Sequence, residues 1–225
     1  MSRFATGTVA VAIVFSALCG CARTRCFSPC EARANEPAQV LLEAMVLRAP
    51  QERVTEIVGS DALPGAPPRV LSAADAAAIG GRAAKTPGVT VVAMPAILAL
   101  AGQEATVSVG ETLAGSSGAP PSTGYDDVAS PSWAGQRFRT IPTPSPDGST
   151  VGLDFSFALR DRPVEGTSPD AAAILASTVR GDVRVESMPS GGSFLLVAAA
   201  GPSAPDDRVL VLVSATVLRP DAAAR

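Results

Sequence analysis

Histidine is absent from all 225 residues. That removes the commonest general base and the commonest metal ligand, and with them Ser-His-Asp, Cys-His and His-ligated zinc chemistry. Few other groups are placed to do chemistry. Asp126-Asp127 and Asp206-Asp207 are acidic pairs of the kind that hold a cation or share acid–base work. Both sit in turn-like, Pro- or Gly-flanked stretches, where solvated carboxylates are ordinary. The glycine-rich runs Gly115-Ser116-Ser117-Gly118 and Ser190-Gly191-Gly192 lack the Lys-Ser/Thr that completes a phosphate cradle. Cys26 and Cys30, in "CFSPC", are a candidate disulfide for an oxidising compartment. Such a short loop gains little from closure, and a pair of thiols on a tether is the competing reading. A metal site needs more ligands than this pair supplies. No catalytic residue, metal or cofactor is expected.

The remaining composition describes a chain that folds. Hydrophobic residues make up 47% and charged residues 17%, the latter well below the usual quarter. Net charge is −3, and Lys85 is the sole lysine. Without a basic patch interleaved with aromatics, nucleic acid is not an expected partner.

At the N-terminus, Arg3 precedes an apolar stretch from Thr8 to Leu18, too short for a typical spanning helix, and small residues follow. This is the layout of a secretory signal peptide, residues 1–20. Leu18-Cys19-Gly20-Cys21 resembles a bacterial lipobox, with Cys21 as the residue that takes lipid; Cys19 is atypical of that motif. Plain cleavage without lipid is the alternative. Each acyl chain contributes about 0.8 kcal/mol per buried methylene, so several would hold the protein at a membrane. Residues 21–38, with Pro29, Asn35 and Pro37, read as a tether.

A mainly β domain with one or two short helices is expected over residues 39–220, followed by a tail at 221–225. "QVLLEAMVLRA" has the length of a buried strand. "QERVTEIVG" places Val54, Ile57 and Val58 at helical spacing, with Gly59 as the stop. Asp61 to Pro68 reads as a Pro/Gly loop. Ser72 with Asp75 three residues on is a capping signature for "AAAIGGRAAK", and Pro87-Gly88 ends that helix. Val89 to Ala93 alternates as a strand. Pro95 interrupts it, and Ala96 to Leu100 with Ala105 to Val109 reads as a hairpin turning at Gly102. Thr112 to Gln136 is loop-rich and holds the chain's single Tyr125 and Trp133, which cap the core from a loop or anchor at a membrane interface. Arg137 to Thr143 is a strand. Pro146 and Gly148 form a turn, and Val151, Leu153, Phe155, Phe157 and Leu159 share one face of the following strand. Gly152, Asp154, Ser156 and Ala158 take its other face. Ser168 and Pro169 start a helix. Val183 to Met188 and Phe194 to Ala199 flank Gly191 as a further hairpin. Val209 to Leu218 is apolar throughout, as a strand buried on both faces is.

The order of these segments resembles the C-terminal, ring-forming domain of bacterial secretins, the channels of type II and type III secretion and of type IV pili. "VLLEAMVLRA" is similar to that domain's opening strand. "GVTVVAMPAILALAGQEATVSVGE" is similar to its strand–proline–strand–turn segment, with Pro95, Gly102, Gln103, Ala105, Val109 and Gly110 as the most specific carriers. "FRTIPTPSPDGSTVGLDFSFALRD", "VRVESMPSGGSFLLVAAA" and "RVLVLVSATVL" resemble the later hairpins and the terminal strand. Two departures stand out: Ala215-Thr216 replaces the usual Thr-Pro, and "VAAAG" replaces a glycine-rich end. With only a tether between Cys21 and the first strand, the periplasmic modules of working secretins are not expected.

Taken with the lipobox at Cys21, the resemblance implies an outer-membrane lipoprotein facing the periplasm. It would be part of, or accessory to, a secretion or pilus-type channel, acting by β-sheet association between subunits. Implied partners are the membrane, further copies of the chain and secretion-system proteins. The alternative is a monomeric lipid-anchored binding or scaffold protein that kept the fold without forming a pore. Arg137, Arg139 and Asp154 are candidates for a polar face of the sheet.

Overall fold

Val40, Leu42, Ala44 and Val46 are buried in one cluster, and Leu47 and Ala49 in another. They belong to β1 (Gln39–Pro50). Successive side chains of a strand point to opposite faces, so a strand apolar at both parities must be covered on both. The rest of the fold supplies those two covers. The computed structural model describes residues 37–59, 64–112, 133–161, 178–201 and 204–218.

One cover is helical. α1 (Gln51–Val58) buries Val54 and Ile57, and Gly59, at φ 100°, ends it by donating its N–H to the Thr55 carbonyl at 2.9 Å. α2 (Ala73–Ala83) buries Ala76, Ile79 and Ala83. Its cap is the one the sequence announces. The Asp75 N–H donates to the Ser72 hydroxyl at 3.1 Å, and that hydroxyl donates to the Asp75 carboxylate at 2.7 Å. The Arg82 guanidinium donates to the Ile57 carbonyl at 2.8 Å, tying the end of α1 to α2. Replacing Ser72 by alanine should cost about 1 kcal/mol of stability, read as a lower urea midpoint with unchanged slope.

Between the helices lies β2 (Arg69–Leu71), at the end of what the sequence presents as a loop. Three residues carry no period that could reveal them. β2 exists because Arg69, Val70 and Leu71 pair with Leu195, Phe194 and Ser193 of a distant strand.

The other strands are β3 (Thr90–Ala93), β4 (Ala96–Leu100), β5 (Ala105–Thr112), β6 (Trp133–Pro144), β7 (Thr150–Arg160), β8 (Thr178–Pro189), β9 (Gly192–Ala199) and β10 (Asp207–Leu218). They form two antiparallel sheets. One runs β2-β9-β10-β1-β3, with β4 also pairing β1; the other runs β5-β6-β7-β8. The described residues are mainly β with two short helices.

β10 shows the layering most directly. Val209, Val211, Val213 and Ala215 join the core between the sheets, while Leu210 and Leu212 pack with Ile57 and Ile79 of the helices. The six-stranded sheet is thus the middle layer, with helices on one face and the four-stranded sheet on the other. Phe138, Phe155, Phe157 and Phe194, from both sheets, fill the space between them. Their rings lie 5.7–6.5 Å apart around Phe155.

Two expected hairpins are not hairpins. β4 pairs with β1 and β5 with β6, so the chain changes sheets at Ala101-Gly102. Likewise β8 pairs with β7 and β9 with β10, and the chain changes sheets at Ser190-Gly191. Alternation tells which side chains of a strand are buried, and a short Gly turn tells that the chain reverses. Neither says which strand lies alongside. Cross-sheet bonds hold each turn: Gly102 N–H to the Pro142 carbonyl at 2.7 Å, and Gly191 N–H to the Ala215 carbonyl at 2.8 Å. The hairpin at Pro146-Gly148 does form, joining β6 to β7.

Candidate assembly face and open edges

The outer face of the four-stranded sheet is built by register. β6 contributes Trp133, Arg137 and Arg139. β7 contributes Asp154, Ser156, Ala158 and Arg160, and β8 contributes Arg180, Asp182 and Arg184 opposite them. Arg137, Arg139 and Asp154 therefore do lie on one polar face. Arg139 meets Glu104 at 2.9 Å, and Arg184 meets Asp154 at 3.7 Å. Both pairs are exposed enough that each contributes at most about 1 kcal/mol.

One end of this face is closed rather than open. Trp133 is the first residue of β6, not part of a loop as the sequence suggests, and is buried. Its ring lies between two guanidiniums, Arg137 at 4.4 Å and Arg160 at 4.6 Å. Arg160 also donates to the Thr178 hydroxyl at 2.9 Å and to the Trp133 carbonyl at 3.2 Å. Cation–π attraction strengthens when the cation is desolvated, and both arginines are buried. Ala158 packs against Trp133, and Ser156 is buried too. The expected open face of β7 is open only at Gly152 and Asp154. The period of two assigns residues to faces correctly but cannot say what covers the second one.

The residues that carry the family resemblance take defined positions. Pro95 lies between β3 and β4, with its carbonyl accepting from the Ala44 N–H at 2.9 Å. Gly102 has φ 70°, and the Gln103 N–H returns to the Leu100 carbonyl at 3.0 Å. Ala105 begins β5, and Val109 is exposed on it. Gly110 stands directly opposite Gly135 of β6. A Cβ on Gly135 would lie 2.3 Å from the Val109 carbonyl oxygen, and one on Gly110 would lie 2.2 Å from that of Ala134. Gly181 is a different case: a Cβ there would strike the Phe157 ring at 2.3 Å. Neither Gly135 nor Gly181 stands out in the sequence. The only hint of Gly135 is that it shares a short Ala-Gly step with the start of a strand.

At the β6–β7 turn, the hydroxyls of Ser145 and Ser149 both donate to Asp147, as does the Ser149 N–H. Those bonds hold its carboxyl down at about 2. Because the folded value is depressed, this support is complete above the ordinary value of 3.8 and is lost as pH falls towards 2. Pro146 precedes it, and Gly148 closes the turn at φ 62°.

The backbone of Asp206 and Asp207 ties the start of α1 to the start of β10. The Asp206 carbonyl accepts from the Gln51 N–H, and Asp207 opens β10 opposite Pro50. Among the described residues no group of three acidic, cysteine or histidine side chains is placed to hold a metal ion. No described helix is long and apolar enough to cross a membrane. Cys21, Cys26, Cys30, Tyr125, Asp126-Asp127 and the helix expected at Ser168-Pro169 lie outside the described residues.

Each sheet ends in open edges. Among the described residues, β5 and β8 have no further strand beyond them, and β8 is 12 residues long. In the other sheet the edges are β2, with three residues, and the broken pair β3 and β4.

No protein-family model matches the sequence, and no curated protein matches it. Several solved structures are similar. Aeromonas hydrophila ExeD is 13% identical with a TM-score of 0.41, covering 82% of this chain and 49% of its own. The type II secretin GspD from enteropathogenic Escherichia coli is 14% identical with a TM-score of 0.40, covering 84% and 72%. The type IV competence pilus secretin PilQ of V. cholerae is 12% identical with a TM-score of 0.44, covering 84% and 63%. The chain spans about half the length of the ExeD chain. GspD and PilQ are secretins, the family that the sequence segments resemble.

Proposed function

We propose that this chain is a secretin-like lipoprotein of the cell envelope. Residues 1–20 are its leader, Cys21 its lipid attachment site, 21–38 its tether and 39–220 its β domain. It lies at the outer membrane and is a structural part of, or accessory to, a secretion or pilus-type channel. Its partners are further copies of itself or secretion-system proteins, and its role is structural rather than catalytic.

The observation that carries this reading is the four-stranded sheet. One face is core, the other is polar around Arg139, Asp154 and Arg184, and among the described residues no strand lies beyond β5 or β8. An open edge presents unpaired N–H and C=O groups. Pairing β8 of one copy with β5 of the next continues the sheet and satisfies both edges. Because the two edges differ, the contact is head-to-tail, and it closes into a ring when the rotation per subunit divides a full turn. The edges of the six-stranded sheet are too short or too broken to compete.

Native mass measurement and negative-stain imaging of the protein, extracted in mild detergent, test this. A multi-subunit ring is the expected result. A clean monomer overturns the edge-pairing reading and leaves a lipid-anchored binding or scaffold module.

A further inference from the structure

β5 and β8, the outer strands of the four-stranded sheet, match in direction, length and face. Each strand of that sheet runs antiparallel to the next, so β8 runs opposite to β5. Setting β8 of one copy beside β5 of another, with both copies pointing the same way, therefore prolongs an antiparallel sheet. β8 is not regular throughout. Between Val151 and Leu153 of β7 stands Gly152 alone, while between their partners Met188 and Val185 stand Glu186 and Ser187. The extra residue makes a β-bulge, which bends a strand and interrupts its ladder. The bulge is built in: a Cβ on Gly152 would lie 2.8 Å from the Glu186 carbonyl oxygen. The regular part of β8 runs from Thr178 to Val185, as many residues as the 8 of β5. Val179, Val183 and Val185 are buried in the core, and Arg180, Asp182 and Arg184 between them are exposed. On β5, Ala105 and Val107 pack against the same core, while Val109, of the same parity, is 59% exposed.

We infer that β5 of a second copy seats on Thr178 to Val185 in one register, with its Ser108 opposite Asp182. The inference rests on the edge-pairing reading above and fixes the register that reading leaves open. Slipping a strand by one residue turns every side chain to the other face, so Ser108 must meet a residue of the outer face of β8. Meeting Arg180 would continue the rows of this sheet, in which Ser108 stands level with Arg137, Ala158 and Arg180. Such copies have no stagger, and a sheet closes on itself only with stagger and tilted strands. Meeting Arg184 drives the start of β5 through the bulge. Meeting Thr178 leaves the second half of β5 beyond the start of β8. Meeting Asp182 staggers the copies, pairs Ala105 with Val185 and Thr112 with Thr178, and stops at the bulge.

The side chains agree with this choice. Val107 comes opposite Val183, and the exposed Val109 comes opposite Gly181. The Phe157 ring lies where a Gly181 side chain would be, so Val109 packs over Gly181 against that ring. On the outer face Thr106, Ser108 and Gly110 meet Arg184, Asp182 and Arg180, and no like charges meet across the ladder. Glu104 precedes the ladder and is held by Arg139 of its own sheet at 2.9 Å.

The test uses the full chain, expressed with its leader, in a Cys26→Ser, Cys30→Ser background. Ser108→Cys is combined in turn with Arg180→Cys, Asp182→Cys and Arg184→Cys, and Ser108→Cys alone is the control. Each variant is imaged by negative stain, oxidised and run on a non-reducing gel. Within one copy the paired positions are three strands apart, about 14 Å, which is beyond disulfide reach, so a cross-link joins two copies. Directly opposite residues lie about 4.5–5.5 Å apart, and diagonal ones about 7–8 Å apart, at the limit of that reach. The expected result is a covalent ladder of dimer, trimer and higher species that is strongest for the 108–182 pair. A ladder strongest for 108–180 or 108–184 overturns the register and leaves edge pairing standing. Rings that give no ladder with any pair overturn the β8–β5 contact itself. A clean monomer overturns both the register and the ring.

Discussion

Phe155→Ala will lower the unfolding free energy by about 3–5 kcal/mol, the range for deleting a buried aromatic side chain. Phe155 is almost wholly buried at the centre of the inter-sheet core. Its ring lies 6.3 Å from Phe138, 6.5 Å from Phe157 and 5.7 Å from Phe194, the last in an edge-to-face arrangement. Phe138 and Phe157 belong to the four-stranded sheet, and Phe194 to the six-stranded one. Removing the ring therefore opens a cavity between layers whose strands are anchored by their own ladders and cannot easily close over it. The loss should be much smaller for Phe155→Leu, which retains most of the volume. Urea unfolding followed by far-UV circular dichroism reads both. Equal, small losses for the two variants would mean that the sheets are held together elsewhere.

Gly135→Ala is expected to cost roughly 2–5 kcal/mol, combining backbone strain with overpacking. Gly135 sits at φ 135°, a conformation that L residues rarely adopt. The added methyl would also lie 2.5 Å from the Gly110 Cα and 2.3 Å from the Val109 carbonyl oxygen. These are backbone atoms, so no side chain can turn aside to make room. β5 and β6 would have to separate locally, loosening the edge strand that the assembly reading requires. Gly110→Ala meets the same pair of strands from the other side, at 2.2 Å from the Ala134 carbonyl oxygen. Because both changes force the same separation, the double variant should cost less than the sum of the two. The same urea titration measures all three. Strict additivity would show that the two glycines act independently, against this account.

The limits of sequence reasoning lie along a clear physical line. Features whose cause is local were legible. The Ser72-Asp75 cap, the end of α1 at Gly59 and the Pro146-Gly148 turn depend on groups within a few residues of one another. Which side chains of β7 face the core was legible too, as was the burial of β10 on both faces, because the alternation of side chains is a property of one extended strand. So was the mainly β class, and the resemblance to secretins came from the order of segments. The absence of histidine closes off whole classes of chemistry by composition alone.

What only the tertiary structure decided is which strand lies beside which, and what covers the second face of each sheet. The reversals at Gly102 and Gly191 read as hairpins, yet each carries the chain from one sheet to the other. Trp133 becomes the centre of an Arg–Trp–Arg stack only because β7 brings Arg160 to it. Gly181 is required by the Phe157 ring on the neighbouring strand, and β2 exists only because β9 is there to pair with it. In each case the deciding partner is distant in sequence, and no residue's own conformational preference encodes it.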